Sequence, residues 1–313
     1  MLSFAGRRLV SCAVLVAMIA TITFLLAFSA TGNVARNLLG ENATAEQLAA
    51  KNAELGLDKP LLAQFGAWAE HAARGDLGIS WFTNEPVAQA IANRLPVTLS
   101  MVVLAVALTA LISVGLGVAA AVRGGWLDRV IQVLSVLGFA LPNFWVALVL
   151  VVFLSVTLGV LPATGYVRLS ESPSGWALAL VLPVASLVIG STASAAQQVR
   201  GAVIDVLRQD FIRTLRARGI SPRSVLFRHA LRNAASPALT VLSLQFIALL
   251  GGAVVIEKVF AIPGLGTLTI NAALQGDVPV LMGVVVTLVV LVVVVNLVID
   301  IVSGWVNPKV RVQ

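Results

Sequence analysis

Asp210, Arg213, Thr214, Arg216 and Arg218 fall within one short segment, where the chain's chemically active side chains are densest. The segment belongs to QDFIRTLRARGISPRSVLFRHALRNAASPALT, Gln209 to Thr240, a long run that cannot enter a membrane and lies between apolar segments. Such a set can dock on another surface, or it can be a positive loop that only fixes membrane topology. Residue types for catalysis are thin elsewhere. His71 and His229 lie far apart and make no metal-ligand pattern. Cys12 is the single cysteine, so no intrachain disulfide forms. None of the four lysines completes a G-K-[ST] phosphate loop, so the chain shows no nucleotide site of its own. It has no G-x-S-x-G elbow, no H-E-x-x-H and no paired intramembrane aspartates.

Two helices joined by one glycine must position the basic set. The first is expected from about Asp210 to Arg218, with Phe211, Thr214, Leu215 and Arg218 at helical spacing. Its arginines gather in the C-terminal turns, where cations suit the helix dipole. Gly219 is placed to be the left-handed cap. Ser221 then reads as an N-cap with Pro222 at the first helical position. The second helix carries Val225, Leu226, His229, Ala230 and Arg232, and Pro237 disfavours its continuation.

The 313-residue chain is 59% hydrophobic and 11% charged. Soluble domains carry roughly 25% charge, so long uncharged runs here indicate several membrane spans. Six are expected: Leu9 to Ala30, Leu95 to Val122, Val130 to Val160, Trp176 to Val199, Pro237 to Ile256 and Val278 to Val302. The first is too long for the apolar core of a cleaved signal peptide. Pro142, beside Asn143, interrupts the third, as an ordinary kink or as a break that lines a cavity. The fold class is therefore an all-α polytopic membrane protein. Its divisions are residues 1–30, an insert at 31–94, and a core at 95–313 containing the basic loop at 200–237. Within the insert, Ala43 to Leu55 is a helix with Thr44 as N-cap and Gln47 as its capping-box partner. Pro60 to Ala73 is a second helix, followed by Gly75. Glu257 to Asp277 reads as a loop holding a short re-entrant or surface segment.

Orientation follows from the basic residues. With the N-terminus inside, 14 of the 21 Lys and Arg lie inside and seven outside, while ten of the 14 acids lie outside. Both termini and the basic loop are then cytoplasmic, and the insert is extracytoplasmic. The spans hold one ionisable group, Asp300, near the inner end of the last. Ion-coupled carriers usually need more. Asn143, Gln197, Gln198, Gln245 and Asn296 can line a path for polar solutes, or be satisfied by neighbouring helices. Gly190 to Gln198, rich in small residues, suits close helix packing. A path without an energy source fits a passive channel or an externally driven pump, and the preformed basic knob favours a partner that supplies energy.

One set of segments comprises NATAEQLAAKNAELGLDKPLLAQF (Asn42 to Phe65), RGDLGIS (Arg74 to Ser80), RLPVTLS (Arg94 to Ser100), LPNFWVAL (Leu141 to Leu148) and LGVLPATGY (Leu158 to Tyr166). DFIRTLRARGIS (Asp210 to Ser221), RHALRNAASP (Arg228 to Pro237), GGAVVIEKVFAIPGLG (Gly251 to Gly266) and NPKVR (Asn307 to Arg311) complete it. In this order and spacing the segments together resemble the inner-membrane permease subunits of ABC importers, in particular the B-type subunits of the dipeptide/oligopeptide/nickel group. The chain departs from the family pattern at Arg213-Thr214-Leu215, where Glu-Ala-Ala gives the family's loop its name, and at Gly32-Asn33-Val34, where Gly-Asp-Pro is common. The resemblance implies a di- or oligopeptide importer of the bacterial inner membrane, with nickel or glutathione as alternatives. It implies a heterodimer with a C-type permease, two cytoplasmic ATPase subunits holding ATP and Mg, and an extracytoplasmic binding protein. It implies no cofactor and no catalytic site in this chain, and no nucleic-acid partner. Asp210, Arg213, Thr214, Ala217 and Gly219 are the expected ATPase contacts. Asn143, Gln245, Gly251 and Gly252 are the expected lining of the path.

Overall fold

The computed structural model describes residues 2–29 and 34–306. Gly32, Asn33 and the tail with Asn307-Pro308, Lys309 and Arg311 lie outside the described residues, as do the side chains of Arg7, Arg8 and Cys12. Every regular element among the described residues is helical: α1 (Leu2–Ser29), α2 (Val34–Leu39), α3 (Ala45–Glu54), α4 (Leu61–Ala73), α5 (Val87–Arg123), α6 (Gly125–Ala140), α7 (Asn143–Leu150), α8 (Pro173–Leu207), α9 (Asp210–Ala217), α10 (Pro222–Ser224), α11 (Leu231–Val259), α12 (Leu265–Gln275) and α13 (Val278–Val306). Two π-helical turns extend the set, Val151–Thr157 after α7 and Val225–Ala230 between α10 and α11.

Among the described residues, four helical stretches are each long and apolar enough to cross a membrane: Val87–Arg123, Pro173–Leu207, Pro237–Val259 and Val278–Trp305. Asp128–Ala140 and Asn143–Thr157 make a fifth only if taken as one span, because the chain bends by 95° between them. α1 holds a shorter apolar stretch, Ala13–Phe28. The break at Leu141-Pro142 is thus far more than a kink. Pro142 disfavours a helical Leu141, whose φ of −87° and ψ of 122° are extended, and α7 restarts beyond it.

Two compact units divide the chain. One takes Met1–Val97 and Pro263–Val293; the other takes Thr98–Ile262 and Val294–Gln313. In the first, Ala20, Phe24 and Ala27 of α1 pack with Val278 and Met282 of α13 and with Phe65, Trp68 and Trp81 of the insert. The α3 helix begins as its sequence dictates: Gln47 N–H donates to Thr44 Oγ1 at 3.3 Å, and Thr44 N–H donates to Gln47 Oε1 at 2.9 Å. α4 covers nearly all of the stretch expected for it.

The expected loop from Glu257 to Asp277 is mostly helix. α11 runs on to Val259 and takes in Glu257, and α12 occupies Leu265–Gln275, with Leu265, Gly266 and Ala272 buried. Pro263 and three glycines masked that helix in the sequence. Pro237 likewise does not end its helix; it sits inside α11. A membrane helix tolerates proline where neighbouring groups satisfy the freed carbonyls. The expected loop from Arg123 to Arg129 shrinks to Gly124, and α6 already includes Asp128 in its first turn.

Candidate functional site

α9 hangs on the end of α8, with only Arg208 and Gln209 between them. Its phase is set by Ile212, which is fully buried among Val199, Val203 and Val206 of α8 and Val225, Ala230 and Ala234 beyond. Leu215 and Ile220 pack against the same cluster. Arg213, Thr214 and Ala217 stand three, four and seven residues after Asp210, so the four share the opposite face, and all are exposed. Arg213 Nη1 donates to Asp210 Oδ1 at 3.3 Å, and Thr214 Oγ1 donates to the Asp210 carbonyl at 3.2 Å. Both ion-pair side chains remain largely in solvent, so this contact orients more than it stabilises.

Gly219 closes the helix. Its φ is +76°, its N–H donates to the Arg216 carbonyl at 3.0 Å, and Ile220 N–H donates to the Leu215 carbonyl at 3.2 Å. These two bonds, with Leu215 and Ile220 in one apolar cluster, make a Schellman cap. Ser221 then caps the next turn, accepting from Ser224 N–H at 3.4 Å, with Pro222 in first place. The five expected contact residues therefore form one exposed surface. Sequence spacing singled out Phe211, whereas Ile212 is the peg; in an eight-residue helix with one buried position, apolar type alone does not separate neighbours.

The second group of expected site residues is only partly brought together. Asn143, first residue of α7, points its amide at two glycines on other helices. A methyl on Gly190 of α8 would lie 2.7 Å from Asn143 Oδ1, and one on Gly252 of α11 would lie 3.3 Å from Asn143 Nδ2. Only glycine at 190 admits the amide at that distance. Gln245 is seven residues before Gly252 and shares its face, about 10 Å along α11. Gly251 is turned away from that face, exposed, with nothing within 4 Å of an added methyl. On α8, Gln198 Nε2 donates to Ser194 Oγ at 3.3 Å, continuing a mildly polar stripe from Gly190. Asn296 is engaged by Ser243, whose hydroxyl donates to it.

Two buried carboxylates complete the polar architecture, and both lie where a loop was expected. Thr98 Oγ1 donates to Glu257 Oε1 at 2.6 Å, and Glu257 is fully buried. In the other unit, Ser80 Oγ donates to Asp277 Oδ2 at 2.5 Å and Trp81 N–H donates to Oδ1 at 3.4 Å. Burial raises the Asp277 carboxyl above its ordinary value, against these hydrogen bonds, which lower it. Neither carboxylate shows a sequence signal beyond its flanking glycines and prolines.

Residues 112–312 match the family described as binding-protein-dependent transport system inner membrane component, and residues 1–102 match the N-terminal part of such membrane components. A protein of Brucella abortus named as a peptide transport system permease is 41% identical over 294 residues, 94% of each chain. A protein of Sinorhizobium fredii named as a peptide ABC transporter permease is 38% identical over 306 residues, 97% of this chain and 98% of the relative. The glutathione transport system permease GsiC of Salmonella typhi is 36% identical over 314 residues, 99% of each. Among solved structures, an inward-facing form of the MetNI methionine ABC transporter shares the fold, with TM-score 0.59 and 20% identity over 71% of this chain and 99% of that chain.

Proposed function

Because the chain belongs to the family of binding-protein-dependent transport system inner membrane components, a multi-pass permease family, we propose that it forms half of the membrane path of an ATP-driven importer of di- and oligopeptides. The observation that carries this reading is α9: a rigid, capped helix with one polar face exposed and the other pegged to a spanning helix. Its exposed face, Asp210, Arg213, Thr214 and Ala217 with Gly219 at the end, docks on a cytoplasmic ATPase subunit. A second, C-type permease completes the path, and an extracytoplasmic binding protein delivers the solute. ATP and Mg belong to the ATPases, and this chain has no catalytic role.

Six crossings with both ends in the cytoplasm fit this reading. α1 supplies one, since no charge occurs from Leu9 to Ala30, and the bent α6–α7 pair supplies another. The insert from α2 to α4 then faces outward. Two relatives named for peptide transport support the substrate class. Glutathione, itself a tripeptide, is the second reading, favoured by the relative named for it. Asn143, in its cradle of Gly190 and Gly252, and Gln245 line the path.

The test is co-purification followed by uptake. The chain is isolated in mild detergent from cells expressing its genomic neighbours. A second permease and ATPase subunits are expected to accompany it, and the reconstituted complex is expected to accumulate labelled dipeptide or glutathione only with ATP. Uptake that persists without ATP and collapses with the proton gradient would make the protein an ion-coupled carrier. Recovery of the chain alone, with passive flux, would make it a channel.

A further inference from the structure

α9 moves with α8, because Ile212 is sealed into a cluster with Val199, Val203 and Val206. The broken span is a different element, and something must join the two. Asp128, in the first turn of α6, faces Arg200 on α8. Arg200 Nη2 donates to Asp128 Oδ2 at 2.6 Å and Arg200 Nε donates to Asp128 Oδ1, two parallel bonds of one bidentate pair. The side chains are only 26% and 15% exposed. Gln132, one turn along α6, also hydrogen-bonds the Asp128 carboxylate.

A second attachment lies ten residues further along α6. Gly138 packs so closely on α8 that a methyl there would come within 2.9 Å of the Ala193 β-carbon. Ten residues of helix span about 15 Å. Two fixings at that separation set both the position and the rotation of α6 on α8. The guanidinium–carboxylate fork fixes orientation as well as distance. Beyond Gly138, α6 ends at the 95° break that leads to Asn143.

We infer that Asp128 and Arg200 are positioning residues for transport: their bidentate pair carries the displacement of α9 and α8 into the broken span, and so links ATPase docking to the Asn143 cradle. This rests on the transport reading above. A merely stabilising pair would raise the melting temperature without setting how much solute moves per ATP. A positioning pair sets that ratio.

The experiment uses the complete complex in proteoliposomes, with Asp128→Asn, Arg200→Lys and the exchanged double variant D128R/R200D. Uptake, ATP hydrolysis and melting temperature are measured on each. Asp128→Asn is expected to raise ATP hydrolysed per peptide imported about tenfold, within the range of coupling between distant sites. Arg200→Lys, which keeps the charge but loses the fork, is expected to do nearly as much. The exchanged pair is expected to recover much of the loss. An unchanged ratio in Asp128→Asn or full activity of Arg200→Lys would overturn the inference. So would uptake and hydrolysis falling in parallel with melting temperature in all three variants. Failure of the wild-type complex to import peptide or glutathione with ATP would instead overturn the transport reading.

Discussion

A graded series at Gly219 separates the geometry of the α9 turn from the surface it presents. The backbone there has φ of +76°, and a β-carbon would meet nothing within 4 Å. Steric crowding inside this chain therefore contributes nothing, and the whole cost is conformational. A residue bearing a β-carbon loses about 1–2 kcal/mol in the left-handed region. Asparagine loses less, because it enters that region more readily, and a β-branched residue loses more. An increment of 1–2 kcal/mol changes the population of the closed turn by a factor of about 5–30. What opens is the Schellman pair, Gly219 N–H to Arg216 and Ile220 N–H to Leu215, which fixes the exit of α9. ATP-driven uptake by the reconstituted complex should fall in the order Gly, Asn, Ala, Val. Gly219→Val should insert normally and transport at background. The order distinguishes the causes, because asparagine is larger than alanine yet cheaper in this conformation. Alanine outperforming asparagine would mean that bulk against the ATPase governs the position. Normal uptake by Gly219→Val at normal expression would refute the rigid-turn reasoning altogether.

Three further outcomes follow from the buried polar groups. Gly190→Ala forces Asn143 out of its cradle, so uptake should drop several-fold while ATPase activity continues, and pairing it with Asn143→Ala should restore assembly of the helices as read by melting temperature. Glu257→Ala removes the acceptor of the Thr98 hydroxyl and empties a buried site, lowering stability by about 2–4 kcal/mol, whereas Glu257→Gln keeps an acceptor oxygen and should lose less; equal melting of the two variants would be contrary evidence. Asp277 binds its proton more tightly in the folded than in the unfolded chain, since burial raises its carboxyl above the ordinary 3.8. Its contribution is therefore most favourable below about that value and is lost as pH rises through the raised native value. The melting temperature of wild type relative to Asp277→Asn should rise between pH 7.5 and pH 4, and a flat difference would contradict the assignment.

Helices whose signals are local were legible in the sequence. Thr44 and Gln47, Ser221 and Pro222, and Gly219 each act through groups within a few residues, and each stands where its type indicates. The uncharged runs likewise located the four stretches that, among the described residues, are each long and apolar enough to cross a membrane, because apolar length needs no tertiary information. Several of the departures involve proline or glycine acting against a distant neighbour. Pro237 disfavours a continuing helix by its type, yet α11 runs through it. Gly264 and Gly266 suggested a loop, yet α12 begins between them. Gly190 gave no hint of Asn143, 47 residues away in the chain but adjacent in space. The pairings of Asp128 with Arg200, Thr98 with Glu257 and Ser80 with Asp277 are of the same kind. A single sequence carries no register between helices, so which polar group meets which could not be read from it.

The stability of α9 bears directly on what it can do. Eight residues are too few for a helix to persist alone in water, where isolated helices shorter than about 12–15 residues are marginal. α9 is helical because Ile212 and Leu215 lie in the cluster formed with α8 and because Gly219 ends it cleanly. The same contacts that make the helix exist also fasten it. A partner that grips Asp210, Arg213, Thr214 and Ala217 cannot peel α9 away without exposing Ile212, which is fully buried. Burying a side chain of that size contributes about 1.5–3 kcal/mol, and unseating it would add loss of the cap and of the helix itself. Displacing α8 as a body breaks none of those bonds. Force applied at the exposed face is therefore delivered to the spanning helix, and through Arg200 and Asp128 to the broken one, rather than absorbed in the turn.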